Sequence, residues 1–192
     1  MKMHPSASSA SRRVVSLTVV AAAILALTAG AASAGRQSLD LASRTALSRL
    51  YAQSLRSKEF GKLAYGILVF PRIVKAGFLV GGMGGDGVLY EHGRPVAYFN
   101  ISGGSYGLQA GAETYSYALF FMKKKAIEYV HKTSGWAIGS GPSVVVANKG
   151  ITEAGDTTTL TQDVYAVPFG SKGLMGSLSM QGTKITPIHP GP

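Results

Sequence analysis

The stretch from Gly77 to Glu91, GFLVGGMGGDGVLYE, sets six glycines among short β-favouring runs and then leads into another strand. A phosphate-binding loop needs G-x-G-x-x-G between a strand and a helix, or G-x-x-x-x-G-K-[ST]. Neither pattern is present, and no helix N-terminus waits behind Gly81 to Gly87 to hold an anion. These glycines therefore read as bends and close strand crossings, where only a residue without a Cβ fits. A chain built this way is committed to a tight, curled sheet.

The surrounding periodicity agrees. From Gly66 the apolar pattern repeats every two residues, giving expected strands at Ile67 to Phe70, ended by Pro71, at Gly77 to Met83, at Val88 to Glu91 and at Val96 to Ile101. His92-Gly93-Arg94-Pro95 reads as a hairpin connection with Gly93 at positive φ. The longest alternation is Ser105 to Met122. One face carries Tyr106, Leu108, Ala110, Ala112, Thr114, Ala118, Phe120 and Met122. The other is small and polar through Glu113 and then apolar at Tyr115, Tyr117, Leu119 and Phe121. A strand of that length must bend or bulge. If Gly104 sits in such a bend, Gly104→Val should abolish folding.

Before this sheet, residues 36–56 lack Gly and Pro and gather Leu39, Ala46, Leu47 and Leu50 on one side, with Leu41 and Leu55 outside the stripe. A second helical turn is expected over Lys58 to Ala64, and a third helix over Lys123 to His131 with Ala126, Ile127 and Val130 inward. Strands are expected again at Gly135 to Gly141, Ser143 to Ala147, Thr157 to Pro168, Leu174 to Gln181 and Lys184 to Ile188. The fold class is α+β: N-terminal helices packed on a strongly curled, glycine-rich, mostly antiparallel sheet or partial β-barrel.

Residues 1–34 are composed differently. Arg12-Arg13, an apolar run from Val14 to Leu27 and a terminal Ala32-Ser33-Ala34 make the three regions of a secretory signal peptide. The arginine pair also raises the twin-arginine export route. The single folded domain is accordingly expected over residues 35–192, in a periplasmic or secreted location. Three of the 19 basic residues fall in the leader and none of the 9 acidic ones, so the domain keeps a charge of +7 with histidines neutral. Such a surface attracts anionic partners. With no cysteine anywhere, disulfides, thiolate metal sites and a lipid-modified N-terminus are all ruled out.

Few residues suit catalysis. Beyond the leader the histidines are His92, His131 and His189, none placed by pattern beside an activated serine. Ser102-Gly103-Gly104-Ser105 lacks the G-x-S-x-G elbow. No short metal-ligand spacing occurs, so neither a metal nor a cofactor is expected. Gln109 and Glu113 would share a strand face about 13 Å apart, with Gly111 between them, and are candidates for a polar pocket or else a structural ion pair. Arg72 and Lys75 flank Ile73-Val74, and Lys123, Lys124 and Lys125 follow Phe120-Phe121-Met122. Each group combines cations with apolar neighbours, as an anionic lipid interface requires, although a lysine run is also an ordinary solvated face. No pattern for stacking bases accompanies them, so nucleic acid is not an expected partner.

The ordered series KLAYGILVFPRIVKAGFLVGGMGGDGVL, FNISGGSYGLQAGAE and ALFFMKKKAIEYV resembles the SYLF domain, over about Leu39 to Ile188. The resemblance implies binding of phosphoinositides or other anionic phospholipids, without catalysis. On that reading Gly81, Gly82, Gly84, Gly103, Gly104, Gly107 and Gly111 are scaffold, and Arg72, Lys75 and Lys123 to Lys125 are head-group contacts. Eukaryotic members act on actin, which a chain with a bacterial-style signal peptide would not meet. Exported relatives are often lipoproteins, whereas this chain lacks the cysteine for that. The implied role is phospholipid binding in the cell envelope. The alternatives are an envelope domain that meets an acidic protein partner and, less readily, a hydrolase.

Overall fold

The computed structural model describes residues 35–147, 161–171 and 182–191, and within these the backbone alone for 77–80 and 105–111. The expected leader and the strand expected at Leu174 to Gln181 lie outside the described residues, as does the start of the one expected at Thr157. The chain order is α1 (Arg36–Gln53), α2 (Leu55–Leu63), β1 (Gly66–Glu91), β2 (Arg94–Phe121), α3 (Lys124–Lys132), β3 (Trp136–Ala137), β4 (Val144–Val146), β5 (Val164–Phe169) and β6 (Lys184–Ile188). It is an α+β domain whose N-terminal helices pack on a strongly curled, mostly antiparallel partial barrel.

Two strands dominate. β1 has 26 residues and β2 has 28, and they pair antiparallel from Gly66↔Phe121 to Glu91↔Arg94. Straight, β1 would be about 85 Å long, whereas a domain of this size has a radius of gyration near ~15 Å. The ribbon must coil, and it does so by bringing the end of β1 back over its beginning. A Cβ on Gly85 would strike the Arg72 carbonyl, and one on Gly87 would strike the Val69 carbonyl and the Phe70 ring. His92 (φ 50°) and Gly93 (φ 76°) make the two-residue turn, both in the left-handed region that matches strand twist.

The separate short strands expected on either side of Pro71 and of Ser102 are continuous. Pro71 does not end β1, because among the described residues β1 pairs with β2 alone and its other edge carries no ladder for a missing N–H to break. Instead the register steps from Phe70↔Tyr117 to Ile73↔Tyr115, so Pro71 and Arg72 bulge opposite Ser116. On its far edge β2 pairs with β6 through 98–102 and with β5 through 116–121. β5 adds β4 in parallel, and β6 adds β3. β3 spans only two residues of the seven expected.

Alternation along β1, β2 and β5 divides the core in two. Leu68, Phe70, Ile73, Leu89, Phe99, Ile101, Tyr117, Leu119 and Phe121 fill the interior of the curl, closed by Ala126, Ile127 and Val130 of α3 and by Trp136. Val69, Val88, Tyr90, Ala118, Phe120, Tyr165, Val167 and Phe169 face the other way and are covered by Leu39, Ala46 and Leu50 of α1 and by Phe60 of α2. Burying both faces of 117–121 explains why that run is apolar throughout. Gly104 meets none of the expected crowding: nothing lies within 4 Å of a Cβ placed there.

Candidate membrane-facing surface

Ser54 shapes this surface first. Its extended backbone ends α1, with its N–H on the Leu50 carbonyl at 2.9 Å, and its Oγ caps α2 by accepting from the Ser57 N–H at 3.1 Å. α2 then advances about 100° per residue. Ser57 and Phe60 point inward, and Phe60 stacks on Tyr165 at 5.0 Å and meets Phe120 edge-on at 5.7 Å. Fixing Phe60 inward turns Leu55, Lys58, Glu59, Lys62 and Leu63 outward. Leu55 is 79% exposed, Leu63 60% and, just beyond the helix, Tyr65 53%. Glu59 is met by Arg56 at 3.4 Å, while Lys58 and Lys62 make no ion pair among the described residues. Large apolar side chains and unpaired cations thus share one short helix.

Beside it lies a cleft of about 450 Å³ between α1, α2 and the β1–β2 turn, with Leu47, Tyr51, Ile67 and Tyr90 as apolar walls and Arg44, Lys62 and His92 as its basic groups. Arg44 sits 5.1 Å above the Tyr90 ring, and Tyr51 hangs over Gly61, where any Cβ would overlap its hydroxyl. Burial pushes the Tyr51 hydroxyl up to about 12, so it stays a neutral donor. Among the described residues no carboxylate lines the cleft.

The residues expected from sequence fall in other places. Arg72 is exposed, but Ile73 is fully buried, leaving Val74 as the apolar neighbour on that side. Lys75 stands directly across from Glu113 in the β1–β2 register. Glu113 accepts a hydrogen bond from Ser171 Oγ at 2.9 Å, and its charge adds to the burial that holds the Tyr115 hydroxyl near 12. The Gln109 side chain is outside what is described, and Glu113 lines neither this cleft nor the smaller one at the end of α1. Lys123, Lys124 and Lys125 are exposed, yet Phe120, Phe121 and Met122 before them are core. Lys124 reaches Glu128 at 3.7 Å and Lys125 reaches Asp163 at 3.1 Å. Two of the three lysines are therefore met by carboxylates, and the run lies about 20 Å along the ribbon from Arg72. The exposed side of α2 was missed because its pattern carries no periodic signal; only the inward anchoring of Phe60 decides which side faces water.

Among the described residues no group of three or more His, Asp or Glu is arranged to hold a metal, and no helix is long and apolar enough to cross a membrane. Residues 102–189 match the model of a family described as "Ysc84: Las17-binding protein actin regulator". This supports the general SYLF-type assignment over 88 of the 192 residues, from within β2 through β6, and leaves α1, α2 and β1 outside the match. No curated protein matches the chain.

Proposed function

We propose that residues 35–192 form a non-catalytic, exported domain that binds anionic phospholipid surfaces through α2 and its flanks, with residues 1–34 as the export leader. The observation that carries this reading is the presence of Leu55, Leu63 and Tyr65 in water beside Lys58 and Lys62. Scattered exposed leucines mean little, but a run of them interleaved with cations is what a bilayer interface selects. The apolar groups would enter the acyl boundary while the lysines stay at head-group level, each adding up to about 1 kcal/mol near an anionic surface. Arg72 and Lys123 add positive charge at other points of the domain. The partial family match lends support through a family whose members are generally lipid-binding; the actin regulation named in its description belongs to another compartment on this reading.

Vesicle flotation tests the proposal. The protein should float with phosphatidylcholine vesicles containing phosphatidylglycerol and not with phosphatidylcholine alone, and Lys58→Gln/Lys62→Gln should lower recovery. Equal recovery on both vesicles would reject the electrostatic account. Recovery on neither would favour a domain that meets a protein partner instead.

A further inference from the structure

Ser116 faces the bulge in β1, and its Oγ donates to the Pro71 carbonyl at 2.7 Å. The next carbonyl, that of Arg72, is seated against Gly85, where no side chain intervenes. The Pro71 carbonyl is thereby held, the Arg72 carbonyl packs against the Gly85 backbone, and the Arg72 side chain is exposed at the bulge. It lines a cleft of about 250 Å³ at the C-terminal end of α1, together with Arg49, Gln53 and Thr114. Two arginines from different elements thus line one cleft, and among the described residues no carboxylate lines it. Arg72 makes no side-chain hydrogen bond or ion pair among the described residues; Arg49 has only a long contact, 3.5 Å, to the Thr45 carbonyl of its own helix. Gathering two uncompensated cations costs free energy in the empty protein, and an anion between them reverses that cost.

We infer that this cleft is a phosphate-ester site. Guanidinium forks match the paired non-ester oxygens of a phosphate, and a second fork from another direction fixes the orientation of the group. The exposed Thr114 hydroxyl and Gln53 amide supply further donors. Ser116 is a positioning residue, since its proton is already given to Pro71. The proposed function supplies one source of such a phosphate, a phospholipid head group, and the inference rests on that reading for this source alone; a soluble phosphate ester is the other.

The test is calorimetric titration of the full chain with inorganic phosphate and with glycerol 3-phosphate, alongside flotation on vesicles containing phosphatidic acid. Arg49→Gln and Arg72→Gln should each weaken the soluble phosphates about tenfold or more, the scale of a lost charge-assisted hydrogen bond. The corresponding lysine variants should recover part of the loss. Arg94→Gln in the hairpin removes the same charge at a distance and should change binding less than about twofold. A cooperative thermal transition in each variant verifies folding. Absence of phosphate binding by the folded wild-type chain, or equal weakening by Arg94→Gln, would overturn the site. If the Arg49 and Arg72 variants also lose phosphatidic acid vesicles, the lipid is the source; if they keep them, the site serves a soluble ester. Failure of the wild-type chain to float at all would reject the lipid reading while leaving the titration to decide the cleft.

Discussion

Gly85 lies against the carbonyl oxygen of Arg72, thirteen residues earlier in the same strand, so the two ends of β1 touch through backbone with no side chain between them. A methyl group there would meet the Arg72 carbonyl, one residue on from the Pro71 carbonyl that Ser116 holds. Gly85→Ala should therefore destabilise the domain by about 2 kcal/mol or more, the range of overpacked cores. Gly104→Ala, with open space around it, should stay within about 0.5 kcal/mol. Urea denaturation of the two variants checks the contrast, and equal losses would mean that the crossing does not depend on Gly85.

The same crossing shows what was legible in the sequence. Glycines between β-favouring runs, with no helix behind them, announced a chain meeting itself, and the stretch from Tyr117 to Phe121 showed itself apolar on both faces. Which glycine bears the contact was not legible: a Cβ on Gly85 or Gly87 would overlap other backbone, while one on Gly82 or Gly84 would meet backbone only at ordinary contact distance, and that depends on where the ribbon closes. Pro71 looked like a strand end because its missing N–H matters in a central strand, whereas β1 is an edge. The surroundings of the basic groups were not legible for a related reason. Phe120, Phe121 and Met122 are neighbours of the lysines in sequence but are drawn into the two cores, so proximity along the chain did not become a shared surface. In α2, anchored by one buried ring, the two chemistries do share a surface.

Lys125 and Asp163 join the start of α3 to the segment before β5 at 3.1 Å. Partial burial pushes the Asp163 carboxyl up, but the hydrogen bonds from Lys125 and the Ser143 N–H, with the positive field of Lys125 and Lys123, more than offset this and leave it below its usual 3.8. A carboxyl lowered by folding contributes stability that is fully present above its unfolded value and lost as pH falls through the folded one. The stability difference between wild type and Asp163→Asn should thus be present at neutral pH, begin to shrink as pH falls past 3.8 and vanish below the lowered value of the folded state. Lys125→Glu should destabilise at neutral pH by setting two carboxylates together, while Lys123→Glu should be better tolerated. Chemical denaturation across that pH range provides the measurement, and a gap that persists in acid would contradict the assignment.

Salt separates the two contributions of α2. Raising ionic strength shortens the Debye length from about 10 Å at 0.1 M to about 3 Å at 1 M. The deficit of Lys58→Gln/Lys62→Gln on anionic vesicles should therefore shrink at high salt, because screening has already weakened the same attraction in the wild type. Leu63→Ser/Tyr65→Ser should keep its deficit at both salts, since burial of apolar surface is not screened. Centrifugal recovery with vesicles at two salt concentrations gives both numbers; parallel salt responses of the two variants would show that Leu63 and Tyr65 do not enter the bilayer.

Phe60 links folding to the surface. It is the inward anchor of α2, 1% exposed, held by Tyr165 and Phe120 on the sheet and by the Arg56 guanidinium 5.4 Å from its ring. At nine residues α2 is too short to be stable by itself in water, so its helicity depends on this contact. Phe60→Ala removes most of the buried ring volume and should cost about 3–5 kcal/mol. Phe60→Leu keeps most of the apolar volume and should cost less. If α2 presents the membrane face, vesicle recovery should fall in the same order as amide hydrogen-exchange protection in residues 55–63: wild type, Phe60→Leu, Phe60→Ala. Loss of protection with unchanged vesicle recovery would locate the lipid-binding surface elsewhere on the domain.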